Sequence, residues 1–198
     1  MKDDFYFTIE ASTEAEYKEK GSKFLAQSFY VETEGDIKAV LQEVKKKYYD
    51  ARHVCHGYII GTEDRIMKGQ DDGEPAHTAG TPILNHIRSK NLTQTLVVVV
   101  RYFGGTKLGV SGLIEAYKEA ARACLDKATI IEKYITECLE LRFDASLQGE
   151  AMRLAKEFDA RIKSIDYQNE IVLVLEIRKG MTTRFLEKRI QGVRMKPM

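Results

Sequence analysis

The stretch Leu96–Gly112, LVVVVRYFGGTKLGVSG, combines a continuous apolar run, a glycine-rich turn and the beginning of a helix. Residues 96–100 are apolar at every position and mostly β-branched, which predicts a strand covered on both faces. Apolar side chains then recur at helical spacing, so we expect a helix from about Ser111 to Lys127. The order strand, turn, helix predicts a domain of mixed α and β structure.

The segments before this stretch predict further elements of the same domain. Strands are expected at 22–31, at 52–60 and, as a hairpin partner of the second, at 65–69. A helix is predicted between the first two, with Asp36 as its N-cap and Lys45–Lys47 near its end. The lysine run is interpreted as a solvated helix end or as an anion-binding patch. A short helix is expected to begin with Thr81 as its cap and Pro82 at its first position.

The pattern restarts near Tyr134 as strand, helix, strand, strand, helix and a short final strand. The predicted bounds are 135–143, 146–158, 161–167, 170–178, 182–190 and 193–195. This order is that of a ferredoxin-like sandwich. We therefore predict two domains, one spanning residues 1–132 and the other 135–198.

The composition restricts the classes of protein to consider. A net charge of +1 over 198 residues excludes an overall polycation, so nucleic-acid binding would need a local basic patch. The chain opens MKDD, unlike a signal peptide, and no apolar run approaches the roughly 20 residues that cross a bilayer. The three cysteines show no CxxC spacing and are interpreted as free thiols. These features predict a cytoplasmic protein with no membrane contact.

The glycine-rich turn is a candidate phosphate-binding site. A strand that leads through glycines into a helix presents backbone N–H groups and the positive end of the helix dipole to an anion. It is not a P-loop, because Val110 rather than lysine follows the last glycine. The alternative is a tight turn that needs glycine for its backbone conformation. The candidate residues for binding a ligand or nucleic acid are Arg101, Gly104, Gly105, Lys107 and Gly109.

A second candidate is the acidic segment before the short helix. Its crowded carboxylates repel one another unless a cation, a basic partner or helix N–H groups compensate. We therefore weigh turn and capping chemistry against recognition of a cationic partner. A metal site is disfavoured, because His53 and His56 point to opposite faces of a strand. The candidate residues of this recognition turn are Asp71, Asp72, Glu74 and Thr78.

The C-terminal segment carries an excess of basic residues. Against the single acid Glu187 stand Arg178, Lys179, Arg184, Lys188, Arg189, Arg194 and Lys196. Such an excess could bind RNA phosphates, although it lacks an accompanying aromatic platform for bases, and the alternative is a solvated surface. The sequence contains no GxSxG, HExxH or CxxC motif. We assign no catalytic residue, no cofactor and no metal.

Four segments together resemble the IMPACT (YigZ) family, in its two-domain bacterial form. They are GQDDGEPAHTAGTPIL (Gly69–Leu84), VVVVRYFGGTKLGVSGLIEAY (Val97–Tyr117), KGSKFLA (Lys20–Ala26) and RHVCHGYIIG (Arg52–Gly61). The resemblance covers most of residues 15–128. Three positions depart from the usual pattern: Ser111 stands for a glycine, Glu115 for an arginine, and His77 for a smaller residue.

The resemblance implies an α+β fold. The N-terminal β-α-β domain would resemble the second domain of a small-subunit ribosomal protein, shared with elongation factor G and small-molecule kinases. The C-terminal domain would be ferredoxin-like, similar to domain V of elongation factor G. A eukaryotic relative damps activation of a translation-initiation-factor kinase by competing for its activator protein.

The function that the resemblance implies is regulation of translation. We expect a monomer or weak homo-oligomer that binds RNA, the ribosome or a translation-associated protein. The alternatives are an enzyme that binds a nucleotide or phosphate at Gly104–Gly112, and a regulator that binds another protein through the acidic turn.

Overall fold

The computed structural model describes residues 4–198. Over these residues the chain forms two compact units: residues 6–133 make up the first, and residues 134–198 with residues 4–5 make up the second. The sequence predicts two domains with the limits 1–132 and 135–198. These domain limits stay a prediction. No helix in the described part of the chain is long and apolar enough to cross a membrane.

The first unit is built on an antiparallel five-stranded sheet. Its elements and those at its borders are β1 (Phe5–Ile9), β2 (Thr13–Glu19), β3 (Ser22–Tyr30), α1 (Glu34–Lys47), β4 (His53–Ile60), β5 (Ile66–Gln70), α2 (Gly80–Ser89), β6 (Thr95–Tyr102), α3 (Gly109–Leu125) and β7 (Ile130–Tyr134). The strand order is β2-β3-β6-β4-β5, while β1 pairs with β7 in a separate ribbon.

Strand β6 lies at the centre of this sheet, and the side chains of residues 96–100 are 0% exposed. Val97 and Val99 pack under α2 and α3, whereas Val98 and Val100 pack under α1. The prediction of a strand covered on both faces is therefore confirmed. The chain needs apolar side chains at every position of this strand, because both of its faces belong to a core.

Helices α1 and α2 each connect two parallel strands that flank a third strand. Helix α1 joins β3 to β4 across β6, and α2 joins β5 to β6 across β4. Two right-handed crossovers would place both helices on one face, because strand direction and crossing direction are both reversed between them. The helices cover opposite faces, so one crossover is of the rare left-handed kind. Helices α2 and α3 lie together on one face of the sheet, and α1 lies on the other.

Two predicted helix caps are wrong. Thr33, not Asp36, caps α1; Asp36 is the third helical residue, and its carboxylate closes a capping box by accepting from the Thr33 N–H. Thr81 does not cap α2, which begins one residue earlier, at Gly80. The α2 cap comes instead from Asp71, whose carboxylate accepts from the backbone N–H groups of Ala79 and Gly80.

The second unit has the predicted ferredoxin-like order. Its elements are β8 (Thr136–Phe143), α4 (Gln148–Glu157), β9 (Arg161–Tyr167), β10 (Ile171–Arg178), α5 (Thr182–Glu187) and β11 (Arg194–Pro197). The antiparallel sheet has the order β11-β8-β10-β9. Alternate apolar residues of β8 and β10 pack against α4 and α5 in a separate core. The α+β fold class is confirmed for both units.

Candidate functional site

The segments that carry the family resemblance meet at one end of the first unit's sheet. Strands β5 and β6 are both antiparallel to β4, so their carboxyl ends lie at the same end of the sheet. The acidic turn (Asp71–Ala79) follows β5, and the glycine turn (Phe103–Leu108) follows β6. The start of β3 lies at this same end of the sheet, because Lys23 pairs with Tyr102 at the end of β6.

A buried ion pair joins the two turns. Arg101 lies at the end of β6, and Glu74 lies in the acidic turn. The Nη1 group of Arg101 donates a hydrogen bond of 2.7 Å to Oε1 of Glu74. The two side chains are only 7% and 4% exposed. The Tyr117 hydroxyl of α3 donates to the same carboxylate oxygen at 2.8 Å. Two predicted binding residues therefore face each other inside the molecule.

The surroundings of Arg101 are those of an internal structural group. Its second terminal nitrogen donates to Ser22 Oγ at 3.4 Å, and its guanidinium lies 5.5 Å from the ring centre of Phe24. An unpaired charge in such a place would be strongly destabilising, whereas a paired and hydrogen-bonded one is tolerated. Arg101 and Glu74 thus depend on each other, and together they fix the glycine turn relative to the acidic turn.

Cys55 and Tyr117 extend the same buried cluster. The Cys55 thiol donates to the Asp71 carbonyl at 2.9 Å and lies 3.3 Å from the Tyr117 hydroxyl. Burial raises the pKa of Cys55 to about 12, and burial likewise raises the pKa of Tyr117 far above its usual range. Both groups stay protonated at neutral pH. The thiol is therefore unsuited to act as a nucleophile.

The carboxylate of Asp71 binds the N-terminus of α2. It accepts from the backbone N–H groups of His77, Ala79 and Gly80 at 2.8–3.0 Å. Burial acts to raise the pKa of Asp71, but these N–H donors outweigh burial and hold the pKa below its usual value. Backbone N–H groups at the start of α2 and just before it are thus the compensating partners that this acidic side chain requires.

The other residues of the acidic turn also have partners within the chain. Asp72 accepts from the backbone N–H of Val54 at 2.8 Å and from Lys45 at 3.2 Å, with its φ at +44° in the left-handed region. Thr78 is buried and donates to the Pro75 carbonyl at 2.7 Å. The acidic turn is therefore held by internal hydrogen bonds at each predicted recognition residue.

Glycine allows the glycine turn to touch the β2–β3 hairpin. A Cβ on Gly104 would lie 1.8 Å from the carbonyl carbon of Gly21, which no adjustment of a side chain could relieve. The Gly104 N–H donates to Ser22 Oγ at 3.2 Å. Gly105 and Gly109 have positive φ angles of +87° and +73° and open space around them. The glycine turn is thus held against the hairpin at Gly104, and the space around Gly105 and Gly109 is open.

The open part of the turn leads into the N-terminus of α3. Lys107 is exposed, and the apolar side chains of Phe103 and Val110 are 53% and 58% exposed. Among the described residues, no side chain caps α3, and its first turn contains no acidic residue. The first N–H groups of α3 therefore lack the carboxylate that α2 receives from Asp71.

The remaining candidates from the sequence are a metal site and the basic C-terminal segment. Residues 4–198 contain no group of three or more His, Cys, Asp or Glu side chains that could hold a metal. In the C-terminal basic segment, five of the seven cations pair with acids from other elements within the described part of the chain. These pairs are Arg178–Asp4, Lys179–Glu137, Lys188–Glu157, Arg194–Glu170 and Lys196–Glu140. The pairs reduce the local excess of positive charge.

Sequence reasoning missed three members of the buried cluster: Ser22, Cys55 and Tyr117. Each lies within one of the four quoted segments, and each is buried. They share a hydroxyl or thiol group on a side chain that the fold buries, and their neighbours in the sequence do not mark them as buried. Such a group needs an internal partner when it is buried.

Comparison with known proteins gives a consistent result. Residues 20–125 match the sequence model of the Impact N-terminal domain. The IMPACT family member YvyE of Bacillus subtilis is 33% identical over 182 residues, which cover 92% of this chain and 84% of that protein. The IMPACT family member YigZ of Escherichia coli is 31% identical over 173 residues, covering 85% and 84%. A crystal structure described as that of a hypothetical protein is 25% identical, with a TM-score of 0.77 over 98% of both chains. The chain belongs to the IMPACT family.

Proposed function

We propose that this protein is a non-catalytic regulator of translation that binds RNA, free or in the ribosome, at the glycine turn. Family membership supports the role in translation, because that is the role the resemblance implies. The observation that carries the binding site is the uncapped N-terminus of α3 beside exposed Lys107. Free N–H groups at a helix start, together with a nearby cation, favour a phosphate.

The two helices that begin at this end of the sheet differ in the capping of their N-termini, and this difference supports the proposal. The N-terminus of α2 already holds the carboxylate of Asp71, whereas that of α3 faces the open glycine turn. Gly105 and Gly109 leave room for a phosphate to approach the backbone. Glu115, nearly two turns into α3, weakens the attraction, but Lys118 pairs with it at 3.2 Å.

In this proposal the remaining candidate residues act by positioning. Arg101 and Glu74 hold the glycine turn against the sheet, and Asp71, Asp72 and Thr78 hold the acidic turn beside it. Contact with phosphate is assigned to Lys107 and to the backbone N–H groups of Gly105 and Gly109, whereas Gly104, whose N–H donates to Ser22 Oγ, helps to position the turn.

The test is binding of labelled single-stranded RNA and co-sedimentation with ribosomes at increasing salt. Binding should weaken steeply with salt, since each phosphate contact releases counterions. Lys107→Glu should weaken binding severalfold, whereas Lys156→Glu, an exposed lysine of α4, should not. Absent or salt-independent binding to both RNA and ribosomes would refute the proposal.

A second candidate function rests on the same N–H groups. They could hold the phosphate of a nucleotide, which is the enzymatic alternative. A ligand that binds only the folded state raises the melting temperature, so a thermal-shift screen with nucleotides and magnesium separates the two functions. A nucleotide-specific shift that Lys107→Glu abolishes would favour this alternative, and an unchanged melting temperature across the panel would exclude it.

A further inference from the structure

A basic groove runs along the other face of the first unit's sheet, between α1 and the edge formed by β4 and β5. Its volume is about 340 Å³. The residues that define its character are Glu34, Lys38, Leu41, Lys45, Tyr58 and Lys68. Three lysines and one glutamate thus line the groove, and its floor is partly apolar.

Strand β5 forms the outer wall of this groove and ends the strand order of the sheet. Among residues 4–198, no strand pairs with its outer edge. Ile66 and Met67 on this strand are 49% and 50% exposed, which is high for large apolar side chains. The free N–H and C=O groups of an edge strand can pair with an added extended chain.

The three lysines come from two elements that line the groove, α1 and β5. Lys68 pairs with Tyr58 in the β4–β5 register and so shares the face covered by α1. Lys38 and Lys45 lie seven residues apart on α1, which corresponds to about 10 Å along the helix axis. Lys45 also contacts Asp72, but both side chains are partly exposed, and such a pair exchanges partners at little cost.

We propose that an acidic, extended segment of a partner protein adds as a strand to the outer edge of β5, with its carboxylates paired to Lys38, Lys45 and Lys68. Side chains on one face of a strand recur every second residue, about 6.6 Å apart, so acidic residues alternating with apolar ones fit the groove and the exposed edge. RNA fits less well, because Tyr58, the one tyrosine among the described residues that line the groove, is 4% exposed and offers no surface for base stacking. This surface is separate from the glycine turn.

The test uses a fluorescently labelled octapeptide of alternating glutamate and valine, with binding followed by anisotropy on the full-length protein. The double variant Lys38→Glu with Lys68→Glu should weaken binding at least tenfold. Lys156→Glu should bind like the unmodified protein. All three lysines are exposed, so the variants are expected to fold, and their circular dichroism spectra check this.

A second probe separates strand addition from simple charge attraction. N-methylation of every amide of the octapeptide removes the N–H groups of both its edges but leaves its charge, and it should also weaken binding at least tenfold. Equal binding of the methylated probe, or equal competition by an unlabelled uridine oligonucleotide, would overturn the proposal. So would a concentration-dependent dimer that the double variant abolishes, because a second copy would then occupy the edge.

Discussion

Removing one charge of the Arg101–Glu74 pair should destabilise the first unit strongly, and removing both should cost less. The two side chains are 7% and 4% exposed and lie 2.7 Å apart, so each is the other's main charge partner. Glu74→Met leaves the guanidinium buried without its carboxylate, and Arg101→Met leaves the carboxylate buried without its guanidinium. We expect each single variant to lose about 3–5 kcal/mol of unfolding free energy.

The double variant tests the pairing itself. With both charges replaced by methionine, the remaining penalty comes from the Tyr117 hydroxyl, which loses its acceptor on Glu74. A buried O–H group without an acceptor costs about 1–3 kcal/mol, which is well below the roughly 6–10 kcal/mol of the two single losses added together. Tyr117→Phe in the double variant should recover most of this remaining loss.

The assay must read the first unit alone, because two compact units need not unfold together. Native-state hydrogen exchange in increasing urea, followed in peptides from β6 and α3, gives the local unfolding free energy. Peptides from β8 and β10 in the second unit serve as the internal control. The reasoning is refuted if a single variant costs less than about 1 kcal/mol, or if the double variant costs the sum of the two.

Three further predictions concern single groups. Asp71→Asn should destabilise α2 by about 1 kcal/mol by weakening its cap; because the pKa of Asp71 is lowered on folding, its contribution is complete above pH ~4 and falls below it, as acid titration of stability would show. Cys55 should resist iodoacetamide in the native state while the partly exposed Cys138 reacts, as mass spectrometry would report. Gly104→Ala should cost about 1–3 kcal/mol by forcing two backbones apart, and Gly149→Ala, which meets open space, should not destabilise.

The sequence by itself determined the local elements and their order. Apolar periodicity predicted the buried strand at 96–100, the helix that follows it and the ferredoxin-like order of the second unit. These features are readable because each depends on side chains within a few residues of one another. The capping of α1 was misassigned by three residues, because Thr33 and Asp36 each bind the other's backbone and both fit the cap position.

The tertiary structure alone decided what the charged residues do. Arg101 stands beside glycines at a strand end, and only the fold brings Glu74 within 2.7 Å of it, from 27 residues away. The C-terminal cations likewise find acids as distant as Asp4, which lies 174 residues from Arg178. Charge pairing depends on distance in space and on burial, and neither is encoded in the order of neighbouring residues. The physical reason is that a charge enters a protein interior only with a partner, and that partner can come from anywhere in the chain.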